Sequence, residues 1–165
     1  MSYRHLRVID MHTHFPIHDT MGLPPVPEQQ HPLLQAYAKD RGNRMAMEWN
    51  TEPTEPAAKT DAEVDANLER WVGEVERYGL RKVVFVSANN NDRLAGLVAR
   101  HPDKFVGFAH HALEPGADVE LKRAVDDLGL RGYKLLGPRT NYPFEAPELR
   151  GVWEFLAERR LPALI

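Results

Sequence analysis

Cysteine is absent from the 165-residue chain, and the chain also lacks long apolar runs and a surplus of basic charge. Without cysteine, disulfides and thiolate metal sites are excluded. The longest apolar runs, such as Val83 to Val86, are far shorter than the roughly 18 residues of a membrane-spanning helix. With 21 basic and 24 acidic side chains, the net charge of -3 argues against nucleic acid as a partner.

The remaining composition is that of a soluble globular protein. Hydrophobic residues make up 42% of the chain and charged residues 27%, which is enough apolar material to bury a core. The length predicts one domain over residues 1–165. The opening residues lack the apolar stretch and cleavage site of a secretory signal, so we expect a cytoplasmic protein with a small-molecule substrate and no membrane partner.

Short apolar, β-branched runs recur along the chain and predict strands. They lack regular in/out alternation, which is typical of parallel strands buried on both faces. The predicted strands are Leu6 to Met11, Lys82 to Ser87, Lys104 to Ala109, Gly132 to Leu136 and a fifth that begins at Pro162.

Amphipathic segments lie between these runs and predict helices over residues 61–78 and 117–128, with shorter ones near Leu94 and Leu156. Thr60 and Glu63 have the spacing of a capping box, and Gly79 follows the first helix where a left-handed residue would end it. Strands that alternate with helices predict an α/β fold with a parallel sheet, which is either a barrel or doubly wound.

Residues 16–60 interrupt this alternation with a long proline-rich segment directly after the first strand. Loops of this length inside a compact domain are usually functional. We interpret the segment as an active-site loop or lid, and the alternative is a disordered insertion.

The residues most suggestive of chemistry are Asp10, His12 and His14, at the end of the first strand. Side chains two apart on a strand point the same way, so both imidazoles can reach one metal ion. Asp10 shares that face and would fix the tautomer of an imidazole through a hydrogen bond to its ring. Eight histidines in 165 positions give about 0.4 such pairs by chance, so the motif alone is weak. Its place at the end of a parallel strand, where α/β folds bind ligands, favours a metal site over a pair of core histidines.

The same segment, VIDMHTHFP, resembles the first-strand signature of the amidohydrolase superfamily. The stretches NNNDRLAGLVARHPDKFVGFAHHALEP, LGLRGYKLL and LRGVWEFLAERRLPALI are similar to its amidohydrolase-related branch, which includes aminocarboxymuconate-semialdehyde decarboxylase and γ-resorcylate decarboxylase. The resemblance implies a (β/α)8 TIM barrel in which His12 and His14 bind one divalent metal, with zinc expected and manganese as the alternative. It also implies a metal-dependent hydrolase or decarboxylase of a small carboxylated or cyclic molecule.

The resemblance is incomplete at the C-terminal side. The branch carries a third ligand, a histidine, after the fifth strand, then a sixth-strand histidine and an eighth-strand aspartate, and none of them is in this chain. A length of 165 residues holds roughly four and a half β/α units. We therefore expect the N-terminal portion of a TIM barrel. The alternative function is a non-catalytic half-barrel that binds or assembles through its open sheet edges, as a homo-oligomer or complemented by a C-terminal half.

Several other strand-end residues are candidates for the site. Lys134 ends the fourth strand, where some amidohydrolases carry a carbamylated lysine; contact with an anionic substrate group and a structural amine are the other readings. Of His110 and His111, only one can face the barrel axis. Our candidate catalytic residues are Asp10 and Lys134, and our candidate substrate-binding residues are His110, Ser87 and Asn89.

Overall fold

A computed structural model describes residues 7–15, 36, 60–86, 90–135 and 140–165 of the chain. The strands in this part are β1 (Ile9–Thr13), β2 (Lys82–Val86), β3 (Phe105–His110), β4 (Tyr133–Lys134) and β5 (Ala163–Leu164). All neighbouring strands are parallel, and their order in the sheet follows the chain from β1 to β5. A sequential order curls into a barrel, whereas a doubly wound sheet reverses its order partway. The predicted partial (β/α)8 barrel is therefore confirmed.

The helices of the described part are α1 (Asp61–Tyr78), α2 (Asn91–Val98), α3 (Ala117–Asp126) and α4 (Arg150–Arg159). The start of α1 is the predicted capping box, because Thr60 Oγ1 accepts a hydrogen bond from Glu63 N at 3.3 Å and Glu63 Oε2 accepts one from Thr60 N at 2.8 Å. Gly79 ends α1 with a left-handed φ of 64°. None of the helices in these described ranges is long and apolar enough to cross a bilayer.

Nearly all residues of β2 and β3 are buried on both faces, in agreement with their near-continuous apolar runs, whereas β1 is exposed over four of its five residues. Alternate residues of β2 and β3, such as Phe85 and Phe105, pack against the helices in the larger cluster of buried side chains. The residues between them form a smaller cluster toward the barrel interior, made of Val84, Val86 and Phe108 with Val106 and Leu164. This inner cluster is the floor beneath the carboxyl ends of the strands.

The first strand differs from its prediction in bounds and in regularity. The prediction was Leu6 to Met11, and the strand is Ile9–Thr13. Asp10 pairs with Val83 and Thr13 pairs with Phe85, so β1 uses one residue more than β2 over this stretch. Such an extra residue is a bulge, which an apolar pattern does not reveal because it arises from pairing with the neighbouring strand. His12 consequently lies within β1.

His111, directly after β3, packs on the helix-facing side of the sheet. Its ring centroid lies 4.8 Å from that of Tyr133, and its Nε2 lies 3.0 Å from the carbonyl oxygen of Ala117. This contact assigns the proton to Nε2, and Nδ1 is buried without a partner in the described part of the chain. Burial lowers the pKa of His111, and the Ala117 carbonyl, Glu120 and Glu114 offset only part of that effect.

We expect Gly132→Ala to destabilise the fold. A Cβ at this position would lie 2.7 Å from two ring atoms of the buried Phe108, so the substitution overpacks the inner cluster and costs about 1–3 kcal/mol. The matched control is Gly73→Ala in α1, where a Cβ meets nothing within 4 Å and the helix should gain up to about 1 kcal/mol. Urea denaturation of both variants measures the difference. Equal unfolding free energies would contradict the packing of Gly132 against Phe108.

We expect His111 to make the fold less stable in acid. The unfolded chain takes up the proton near pH 6.5, whereas the folded chain takes it up only at a lower pH, so the unfolding free energy falls as the pH drops below about 6.5. The slope from this one group is at most about 1.4 kcal/mol per pH unit. His111→Gln cannot titrate and should remove this contribution. Urea denaturation of wild type and variant at pH 7.5 and pH 5 checks it, and parallel losses would refute it.

Candidate metal centre

His12 and His14 bring their imidazoles together at the carboxyl end of β1. Their Nε2 atoms are 3.2 Å apart, and the ring centroids are 5.1 Å apart with the planes tilted by 39°. Thr13 and Phe15 turn to the opposite side, where both are buried and Phe15 packs edge-on against Phe85 at 5.2 Å. Because side chains alternate along a strand, the burial of Thr13 and Phe15 directs the two histidines away from the helices.

The separation of the two Nε2 atoms fits ligation of a single ion. Two nitrogens bound tetrahedrally to zinc at about 2.0–2.1 Å are about 3.3 Å apart. Without an ion, the same 3.2 Å is a hydrogen bond in which one Nε2 donates and the other accepts. Both residues are exposed, so a cation reaches these nitrogens without rearrangement of the core.

The surroundings of His14 favour the neutral form of its imidazole. Burial lowers the pKa of His14, and the neighbouring His12 and the ammonium of Lys134 lower it further. A metal binds the unprotonated nitrogen of an imidazole, so a lowered pKa favours ligation over protonation.

Asp10 has a different contact from the one that its spacing predicted. Its Oδ1 accepts a hydrogen bond from the backbone amide of His12 at 3.1 Å. The bulge between Asp10 and Thr13 interrupts the alternation that would have aligned the carboxylate with the two imidazoles. Asp10 therefore fixes the main chain beneath His12, and a catalytic role for it stays a prediction.

His110 and Lys134 lie side by side at the ends of β3 and β4. They pair in register, and each is only 6% exposed. Both follow the alternation of the inner cluster, with His110 two residues after Phe108 and Lys134 paired to Leu164. Of the two consecutive histidines, His110 is thus on the side of His12 and His14, and His111 is on the helix side.

Asn91 is a residue that the sequence reasoning missed. Its Oδ1 accepts a hydrogen bond from the backbone amide of His110 at 2.9 Å, and its Nδ2 donates to Glu120 Oε1 at 2.8 Å. Arg123 in turn donates to Glu120 at 2.8 Å and to both carboxylate oxygens of Asp92. This buried amide ties the end of β3 to α2 and α3. In the sequence, Asn91 stands in a run of asparagines that looks like an ordinary helix start.

The remaining candidates add no described side chain to the site. Ser87, Asn89 and nearly all of the 16–60 loop lie outside the described residues. Within the described ranges, no group of three or more histidine, cysteine, aspartate or glutamate side chains is placed to hold a metal. Within the same ranges, His12 and His14 are a pair of imidazoles whose spacing fits two ligands of one ion, and their role as ligands stays a prediction.

The fold is similar to that of several solved structures. One is 5-carboxyvanillate decarboxylase from Novosphingobium aromaticivorans, in complex with manganese and 4-hydroxy-3-methoxy-5-nitrobenzoic acid: identity 15%, TM-score 0.60, covering 99% of this chain and 51% of that one. Another is a probable 2-pyrone-4,6-dicarboxylic acid hydrolase from Acinetobacter baumannii with citric acid bound: identity 13%, TM-score 0.56, covering 96% of this chain and 48% of that one. At these identities the likeness establishes the fold alone. The chain spans about half the length of both structures.

Sequence comparison gives the family. No curated protein matches the chain significantly. The family model described as amidohydrolase matches residues 9–165, which include β1, the histidine pair and every later element described above. The chain therefore belongs to the amidohydrolase family.

Proposed function

We propose that this chain carries part of the active site of a metal-dependent hydrolase or carboxy-lyase that acts on a small carboxylated or cyclic molecule. The observation that supports this most directly is the 3.2 Å approach of two Nε2 atoms at the mouth of an amidohydrolase-family half-barrel. Among the similar structures, one is named a decarboxylase and binds manganese, and another is named a hydrolase. Both reaction types therefore remain within the proposal.

His12 and His14 would hold the divalent ion as two of its ligands. Imidazole ligands favour zinc, and manganese is the alternative. Catalytic zinc sites usually have three protein ligands, so at least one more ligand must come from outside the described residues. A divalent ion in this position supplies Lewis acidity toward an oxygen of the substrate.

The chain's own residues prepare the site around that ion. Burial, His12 and the charge of Lys134 lower the pKa of His14, and Asp10 accepts a hydrogen bond from the backbone amide of His12. His110 and Lys134 line the opposite strands, and Asn91 anchors the end of β3 that carries His110. The apolar floor beneath them excludes water from the substrate's non-reacting surface.

We expect metal binding to depend on both histidines. In equilibrium dialysis against Zn²⁺ or Mn²⁺, His12→Ala or His14→Ala should weaken binding by at least about 10–100-fold, which is the loss that even outer partners of a ligand cause. The double variant should bind no more than background. The matched control is His101→Ala, because His101 precedes β3 at the opposite end of the barrel and contacts Glu69. Retention of bound metal by the double variant would refute the proposed centre.

A second candidate function is a half-barrel that acts by binding or assembly. β1 and β5 are the edges of the sheet, and β1 and its approach expose Val8, Ile9 and Met11 by 41–49%. Free edges of parallel strands pair readily with other chains. We propose pairing with a second copy or with a C-terminal half of a barrel. The cytoplasmic location stays a prediction, as does the absence of nucleic-acid and membrane partners.

Sedimentation velocity tests this assembly. We expect the wild-type chain to self-associate as its concentration rises, and Met11→Lys on β1 to weaken association by about tenfold or more, because edge lysines oppose strand pairing. Tyr78→Lys is the matched control, since Tyr78 is 66% exposed but lies at the end of α1, away from the sheet edges. A wild-type chain that stays monomeric at all concentrations would exclude pairing with a second copy.

A further inference from the structure

Lys134 is a buried ammonium group at the mouth of the half-barrel. Its backbone is paired on one side with His110 and on the other with Leu164, so it lies in the interior of the sheet. The residue is 6% exposed, among apolar neighbours of the inner cluster. Most lysines keep the ammonium group in water, and one this buried normally has a partner of opposite charge.

No such partner is found for Lys134 among the residues that the structure describes. Lys104 and Lys122 each form ion pairs, with Asp103 at 3.1 Å and Asp118 at 2.7 Å. Lys134 forms no ion pair within the same ranges, and burial alone lowers its pKa. An unpaired buried charge is costly, and sites that keep one are candidates for ligand binding.

The surroundings of Lys134 favour an anion with an apolar body. His110 is the neighbour of Lys134 in register, and the charge of Lys134 is among the causes that lower the pKa of His14. The carboxylate of Asp10 is engaged with the main chain of His12. Leu164, which pairs with Lys134, packs against the inner cluster of Val86 and Phe108, and this cluster gives the apolar surface that small-molecule sites combine with a few polar groups.

We propose that Lys134 binds a carboxylate of the substrate, so that the site takes small organic acids with an apolar or aromatic body. The proposal rests on the proposed function in one respect: the bound acid would present its reacting atoms to an ion at His12 and His14. It assigns Lys134 to substrate binding and makes the carbamylated lysine unnecessary.

The experiment compares benzoate with its uncharged isostere benzamide by NMR titration of the metal-free full chain. Charge-assisted hydrogen bonds should make benzoate bind about tenfold more tightly or better. Lys134→Met keeps the length and apolar stem of the side chain and should abolish this preference, whereas Lys134→Arg should retain part of it. Lys82→Met is the matched control, because Lys82 begins β2 at the opposite end and donates to the Pro102 carbonyl. It should leave the preference unchanged.

A second measurement covers the case in which a variant binds poorly because it is misfolded. Removing an unpaired buried ammonium should raise the melting temperature of Lys134→Met above that of wild type. A lower melting temperature together with an unchanged benzoate preference would assign Lys134 a structural role and overturn the inference.

Adding Zn²⁺ separates this inference from the metal proposal. If benzoate preference appears only with Zn²⁺, survives in Lys134→Met and is lost in the His12→Ala and His14→Ala double variant, the anion binds the ion, and the inference fails while the proposed function stands. If wild type binds no Zn²⁺ but prefers benzoate through Lys134, the metal proposal fails and the anion site stands.

Discussion

The alternation of side chains along β1 is the constraint on which the site depends. Thr13 is opposite Phe85, and Phe15 packs on the ring of the same phenylalanine, so two consecutive outward positions are anchored in the helix-facing core. His14, which lies between them, and His12, which precedes them, therefore point to the opposite face. The convergence of the two Nε2 atoms thus follows from the burial of their neighbours, and it needs no attraction between two rings that repel when protonated.

A second constraint is the distribution of charge around the mouth. The interior strands place a lysine and three histidines toward one space, while the acidic side chains that the structure describes lie mostly on the helices, in exposed ion pairs such as Arg123 with Asp92. Exposed pairs of this kind contribute little to stability. At the mouth, burial, His12 and Lys134 together lower the pKa of His14, and the carboxylate of Asp10 accepts a hydrogen bond from the main chain of His12.

The sequence predicted the helices and the parallel order better than it predicted the site. Local signals define α1, because the Thr60 capping box and Gly79 act within one turn of its ends. The predicted bounds of β1 were wrong, and the contact of Asp10 was unforeseen. Both depend on the irregular register between β1 and β2, which a local sequence pattern does not contain. Asn91 was missed for a similar reason: its partners His110 and Glu120 are distant in sequence. Which of His110 and His111 faces the barrel interior follows from Phe108, because Phe108 lies in the inner cluster two residues before His110.

The two imidazoles also link metal affinity to the completion of the barrel. Two nitrogens provide only part of the coordination of a divalent ion, so the ion binds this part of the chain weakly unless further ligands are supplied. A neighbouring segment or another chain that supplied these ligands would strengthen the binding of the ion. By reciprocity, the ion would strengthen the binding of that segment or chain to the half-barrel by the same factor. In the proposed assembly, a segment that paired with β5 would also approach the space in front of His12 and His14, which would couple strand pairing to metal binding. Under the proposed function, metal binding and association of the half-barrel would therefore be linked equilibria.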